Sequence, residues 1–138
     1  MNILFMCVAN SARSQMAEGL AKQILGPDAT VQSAGSHPGK LNPFAVQALQ
    51  ERGLDISRNW SKSIDDLSPE FIVKLDYVIT LCAEEVCPTM VSRAQKLHWP
   101  FPDPAAVQGS EKDRLSSFRS VRDQIEKALR DFKGRLEK

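Results

Sequence analysis

Apolar residues fall along this chain in two kinds of run. Asn2-Ile3-Leu4-Phe5-Met6 and Asp76-Tyr77-Val78-Ile79-Thr80-Leu81 are short and nearly continuous, as strands buried on both faces are. Thr30-Val31-Gln32-Ser33-Ala34, ended by Gly35, and a stretch around 96–99 read as two further short strands. Other segments repeat at helical spacing. Met16, Ala17, Leu20, Ala21, Ile24 and Leu25 form one stripe over 15–25, stopped by Gly26-Pro27. Asn42-Pro43 starts a helix with Phe44, Ala45, Ala48 and Leu49 inward, closed by Gly53. Ser68-Pro69 starts another with Phe71, Ile72 and Leu75 inward. Leu115, Phe118, Val121, Ile125, Leu129 and Phe132 give the closing helix its buried face, opposite a mixed-charge surface. Residues 60–67 are polar, hence loop or short helix, and Pro100-Phe101-Pro102-Asp103-Pro104 is a stiff exposed loop.

The order β-α-β-α-(α)-β-β-α predicts an α/β fold: three layers, a mostly parallel four-stranded sheet with helices on both faces, in one domain over residues 1–138. Such sheets bind ligands beyond the carboxyl ends of their strands. Cys7 follows the first strand, Cys82 the third and Asp103 the fourth, so topology predicts that all three share one edge.

Composition narrows the partners. The chain is 42% hydrophobic and 25% charged, and 18 basic against 17 acidic residues leave a net charge of +1. That balance speaks against bulk binding to nucleic acid or acidic membranes. No apolar run approaches a membrane span, and no leader pattern is visible, so a cytoplasmic protein is expected. Three cysteines without zinc-site spacing suit reactive or inert buried thiols better than a disulfide scaffold.

The chemistry concentrates in Cys7-Val8-Ala9-Asn10-Ser11-Ala12-Arg13-Ser14, a small-residue loop between a buried strand and a helix. Loop amides and the positive helix end make such a junction an oxyanion receptor. Cys7 at its mouth is expected as a thiolate nucleophile, and Arg13 offers a fork for two oxygens. The plain alternative is an inert buried cysteine beside a surface arginine. Asn10 is suited to a left-handed conformation that aims amides inward. Cys82 and Cys87, with four residues between them, are either a redox pair or two unrelated loop thiols. Asp103, between prolines, suits a fixed general acid or a simple turn residue. His37 and His98 have no visible catalytic partner, and Trp99 and Phe101 suit packing.

The loop fits the C-x5-R-S signature of low-molecular-weight protein tyrosine phosphatases. More closely, Asn10-Ser11 with Arg13-Ser14-Gln15-Met16-Ala17-Glu18-Gly19 resembles the thioredoxin-coupled arsenate reductases that share that fold. The resemblance continues through Ser33-Ala34-Gly35, Asn42-Pro43, Val78-Ile79-Thr80-Leu81-Cys82, Cys87-Pro88, His98-Trp99, Asp103-Pro104-Ala105 and Phe118-Arg119-Ser120-Val121-Arg122-Asp123, nearly the whole chain. Phosphatases of this fold usually carry an aromatic residue where Ala105 stands and lack the Cys82/Cys87 pair. Two departures from the reductases are Ala9, where Gly is common, and a shorter interval between Cys82 and Cys87.

The resemblance implies arsenate reduction by three thiols. Arsenate, with phosphate or sulfate as mimics, would bind across Val8, Ala9, Asn10, Ser11, Ala12, Arg13 and Ser14. Cys7 would attack, Asp103 would protonate the leaving oxygen, and oxidation would pass to Cys7–Cys82 and then Cys82–Cys87, reset by thioredoxin and NADPH. No bound cofactor is implied except a potassium ion near Asn10, Glu18, Ser33 and Asp65, and a monomer is the simplest expectation. The alternative is a phosphatase acting through a Cys7 phosphoenzyme, which needs only Cys7, Arg13 and Asp103. A third class is an anion-binding or redox-sensing protein without turnover.

Overall fold

A computed structural model describes residues 1–83 and 92–137. Four strands, β1 (Asn2–Cys7), β2 (Thr30–Gly35), β3 (Leu75–Thr80) and β4 (Gln95–His98), form one sheet in the order β2-β1-β3-β4. Every pairing is parallel. The helices are α1 (Arg13–Leu25), α2 (Pro43–Gln50), α3 (Pro69–Val73) and α4 (Glu111–Leu136).

The central strand explains its own apolar run. Ile3 and Phe5 pack into a core with α1, α2 and α4, while Leu4 and Met6 pack on the other face with Leu67, Phe71 and Val78. Alternate side chains of a strand point to opposite faces, so a strand covered on both must be apolar throughout. The expected three layers result, with α1, α2 and α4 on one face and α3 on the other.

Helix starts follow local chemistry. The Asn42 side chain accepts from Phe44 N and the Ser68 side chain from Phe71 N, and each precedes a proline in the first turn. Ser110 and Asp113 form a reciprocal capping box that starts α4. Several boundaries shift by one or two residues from the sequence reading, β3 and β4 among them, and two of the shifts stand out. Leu75 opens β3 instead of closing α3, and it is buried either way. Helix α1 begins at Arg13, two residues early, after Ala12, which has no capping side chain. Arg13 and Ser14 therefore stand in the first helical turn.

Helices α2 and α4 are joined by charge. Buried Arg122 donates to Ala48 O at 2.9 Å and to Glu51 Oε1 at 2.7 Å, and Arg119 grips both Glu51 oxygens. Hydrogen bonds from Arg119 and Arg122 bring the Glu51 pKa down from 4.5 to about 2. A depressed carboxylate stabilises the fold above its unfolded pKa, and that stabilisation fades as pH falls from 4.5 towards 2. Glu51→Gln should therefore flatten the acid limb of the stability profile, measured by urea unfolding at pH 7 and pH 3. Arg122→Met leaves the Ala48 carbonyl without its donor and should cost about 1–3 kcal/mol at pH 7.

Candidate functional site

The site is built where β1 ends. Chain segments from elsewhere hold the loop after Cys7 by its carbonyls. His37 N donates to Val8 O at 2.9 Å, Gly39 N to Ala9 O at 3.0 Å and Asn42 N to Ser11 O at 2.9 Å. The Asn10 carbonyl accepts from Gln15 Nε2 at 3.2 Å and Ser61 Oγ at 2.8 Å. In a trans peptide the next N–H points opposite its carbonyl. Anchoring these four carbonyls thus turns the amides of Ala9, Asn10, Ser11 and Ala12 the other way, the arrangement that makes an anion nest.

The sulfur confirms the direction for one of them. Asn10 N donates to Cys7 Sγ at 3.2 Å, and Ser14 Oγ lies 2.8 Å from the same atom. Ser14 Oγ accepts from Asn10 Nδ2 at 2.8 Å, so its own proton is left to point at the sulfur. The Asn10 amide is oriented in turn by Lys62 N at 2.9 Å and Gln15 Nε2 at 3.0 Å, both donating to Oδ1. A chain of donors therefore runs from Lys62 through Asn10 and Ser14 to Cys7. Two donors thus converge on one buried sulfur. Cys7 is a free thiol, 3% exposed.

Asn10 adopts φ 50°, the left-handed region that asparagine tolerates. Gly35, paired with Cys7 across β1 and β2, has another reason to be glycine. A Cβ there would collide with the Val8 carbonyl oxygen and lie 2.9 Å from Asn10 N.

Arg13 is buried, and its guanidinium reaches across the sheet edge. Nη1 donates to Phe101 O at 3.0 Å and lies 3.4 Å from Leu81 O. Those carbonyls belong to the residue before Cys82 and the residue two before Asp103. The backbone continues this convergence, with Leu81 N on Met6 O and Phe101 N on Leu81 O. Cys82 is buried and disulfide-bonded. Cys87 lies outside the described residues. Asp103 is exposed, and its Oδ1 caps the short turn Pro104–Ala106 by accepting from Ala105 N at 3.0 Å. His98 bonds Thr80 Oγ1 at 2.7 Å, and Trp99 packs on Phe5 and Phe132.

The residues expected around a cation separate into two groups. Ser33 Oγ donates to buried Glu18 Oε1 at 2.8 Å, and Asn10 touches the same region through Lys62. Asp65 does not join them. It sits exposed in the turn Ile64–Asp66 and, among the described residues, makes no hydrogen bond or ion pair with the other three. Residue type and separation along the chain do not say which side of a polar loop faces inward. The sequence reading also missed Ser61 and Lys62 as supports of the loop. Nothing in the polar run 60–67 distinguishes them from solvated residues.

A parallel three-layer sheet with a buried cysteine, an amide nest and an arginine at the carboxyl end of its central strand defines a thiol-based oxyanion-handling protein. The chain belongs to the low molecular weight phosphotyrosine protein phosphatase family, whose model matches residues 2–138. An arsenate reductase of Halalkalibacterium halodurans is 45% identical over 132 residues, covering 94% of this chain and 93% of the relative. An arsenate reductase solved in the phosphate binding state has a TM-score of 0.78 and 29% identity, with 97% of each chain covered. A YwlE arginine phosphatase variant with a phosphorylated active site serine has a TM-score of 0.74 and 26% identity, covering 100% of this chain and 97% of its own.

Two glycines near the loop separate shape from flexibility. Gly35→Ala should weaken inorganic phosphate binding by at least about tenfold in calorimetry, because it forces the nest outward. Gly39→Ala, whose Cβ would meet only Ala9 Cβ at 3.8 Å, should bind phosphate as wild type does.

Proposed function

We propose that this protein reduces arsenate to arsenite by passing oxidation through its three cysteines, with thioredoxin as reductant. The observation that carries the proposal is the link from Arg13 in the Cys7 loop to Leu81 O, directly before the second cysteine. The 45% identity to a relative named an arsenate reductase supports it. Arsenate, like phosphate a tetrahedral oxyanion, docks against the loop amides and Arg13. The Cys7 thiolate attacks arsenic, and Asp103 protonates the oxygen that leaves as water. Cys82, its disulfide first opened by thioredoxin, then attacks Cys7 Sγ. The sulfur–arsenic bond breaks, its electron pair leaves with arsenic as arsenite, and Cys7–Cys82 forms. Cys87 attacks Cys82, frees Cys7, and leaves a Cys82–Cys87 disulfide for thioredoxin, itself renewed from NADPH. The protein acts as a cytoplasmic monomer in this scheme. No helix of the described residues is long and apolar enough to cross a membrane.

A second reading is phosphate monoester or phosphoamide hydrolysis through a Cys7 phosphoenzyme. The likeness to an arginine phosphatase of the same fold favours it. It requires Cys7, Arg13 and Asp103 and leaves Cys82 and Cys87 without a part.

Arsenate-dependent NADPH oxidation with thioredoxin and thioredoxin reductase separates the two. Wild type should turn over continuously, while Cys82→Ser and Cys87→Ser each stop after at most one turnover, a loss of at least about a thousandfold in steady-state rate. No arsenate turnover, with para-nitrophenyl phosphate hydrolysed equally by all three proteins, would establish the phosphatase instead. Cys7→Ser should abolish either activity.

A further inference from the structure

The potassium ion implied by the resemblance does not fit the residues that would hold it. Asp65 is exposed and separate, as described above. The remaining carboxylate, Glu18, is 4% exposed and already faces two ammonium groups. Lys22 Nζ lies 3.0 Å from Oε2, and Lys62 Nζ lies 3.8 Å from Oε1. A third positive charge against one carboxylate is electrostatically unfavourable in so buried a place.

We propose that the Lys62 ammonium is the built-in cation of this protein, the counter-ion of Glu18 that holds the back of the anion loop and makes potassium unnecessary. Lys62 differs from Lys22 in what its backbone does. The Lys22 side chain is 54% exposed and belongs to the same helix as Glu18, whereas Lys62 is 16% exposed and comes from the loop between α2 and α3. Its N–H donates to Asn10 Oδ1 at 2.9 Å, and its carbonyl accepts from Gly35 N at 2.8 Å. Its ammonium donates to Gln32 Oε1 at 2.5 Å besides facing Glu18. The charge thus fixes in place the backbone that orients Asn10, which in turn supplies a donor to Cys7 and one to Ser14. Lys62 is a positioning residue, since neither its ammonium nor its backbone touches Cys7.

The side chain also borders a cavity of about 220 Å³ behind the loop, shared with Glu18, Gln32 and Trp60. Removing the ammonium leaves oxygens of Glu18, Ser33 and Gln32 around a vacated space next to this opening. A small monovalent cation can replace the lost charge there, and tetramethylammonium is too large to approach those oxygens as closely. Lys62→Met keeps the aliphatic stem and removes only the charge. Lys62→Arg keeps the charge.

The test compares thermal unfolding and inorganic phosphate binding in potassium chloride and tetramethylammonium chloride at equal ionic strength. Neither readout uses arsenate turnover, so the result stands apart from the reductase assay. Wild type should show the same Tm and phosphate affinity in both salts. Lys62→Met should bind phosphate about tenfold more weakly in tetramethylammonium and recover in potassium, with Tm following, while Lys62→Arg stays near wild type. A wild-type Tm or affinity that rises specifically with potassium would overturn the proposal. So would a Lys62→Met protein that binds phosphate like wild type, or one weakened equally in both salts. If Lys62→Met does not fold, the wild-type comparison and Lys62→Arg still decide.

Discussion

Asn10 is held at φ 50°, in a conformation that most side chains resist, and the surroundings of the site are arranged around keeping it there. Its carbonyl is taken by Gln15 and Ser61, its side-chain oxygen by Lys62 and Gln15, its side-chain nitrogen by Ser14 and its own N–H by Cys7. Every polar group of one residue is thereby used. Local backbone strain of this kind persists only where neighbours over-determine it, and here they come from the first helix and from the loop before α3. The anion nest is a consequence. With Asn10 turned over, the flanking carbonyls bond outward to 37–42 and the intervening amides face the opening.

The sheet supplies the rigidity that this arrangement needs. Because β1 lies between β2 and β3 and is covered on both faces, its end is firmly held, and its last residue pairs with Gly35 on β2. Cys7 is that residue. Gly35 on β2 lets the loop fold close beside it, and Leu81, just past β3, extends the pairing towards Met6. The Cys7 sulfur therefore stands on a strand end while the groups that donate to it sit beyond it in the loop and first helical turn, so the sulfur is the fixed point of the site.

Much of the fold was legible because burial on both faces writes itself as uninterrupted apolar residues, as in β1 and β3. The helix starts at Asn42 and Ser68 were legible because capping is local chemistry. Strand order was not, since β3 pairs with β1 through registry between residues more than seventy positions apart. At the site, the Cys7 to Ser14 loop could be recognised because its parts are contiguous. Ser61 and Lys62 could not, because their importance lies in backbone and side-chain contacts to a loop fifty residues away. The same limit leaves the exposure of Asp65 unread, three positions from the lysine that meets Glu18.

The donor chain from Lys62 to Cys7 has a sense as well as a shape. Lys62 gives to Asn10, Asn10 gives to Ser14, and Ser14 gives to the sulfur, so each link fixes which atom of the next is free to donate. An aspartate at position 10 would have nearly the same outline but would present an acceptor where Ser14 now receives a proton. The serine hydroxyl would turn towards it and away from the Cys7 sulfur. The site thus discriminates between side chains of equal size by the direction in which they pass hydrogen bonds, and a packing criterion alone would judge such a replacement harmless.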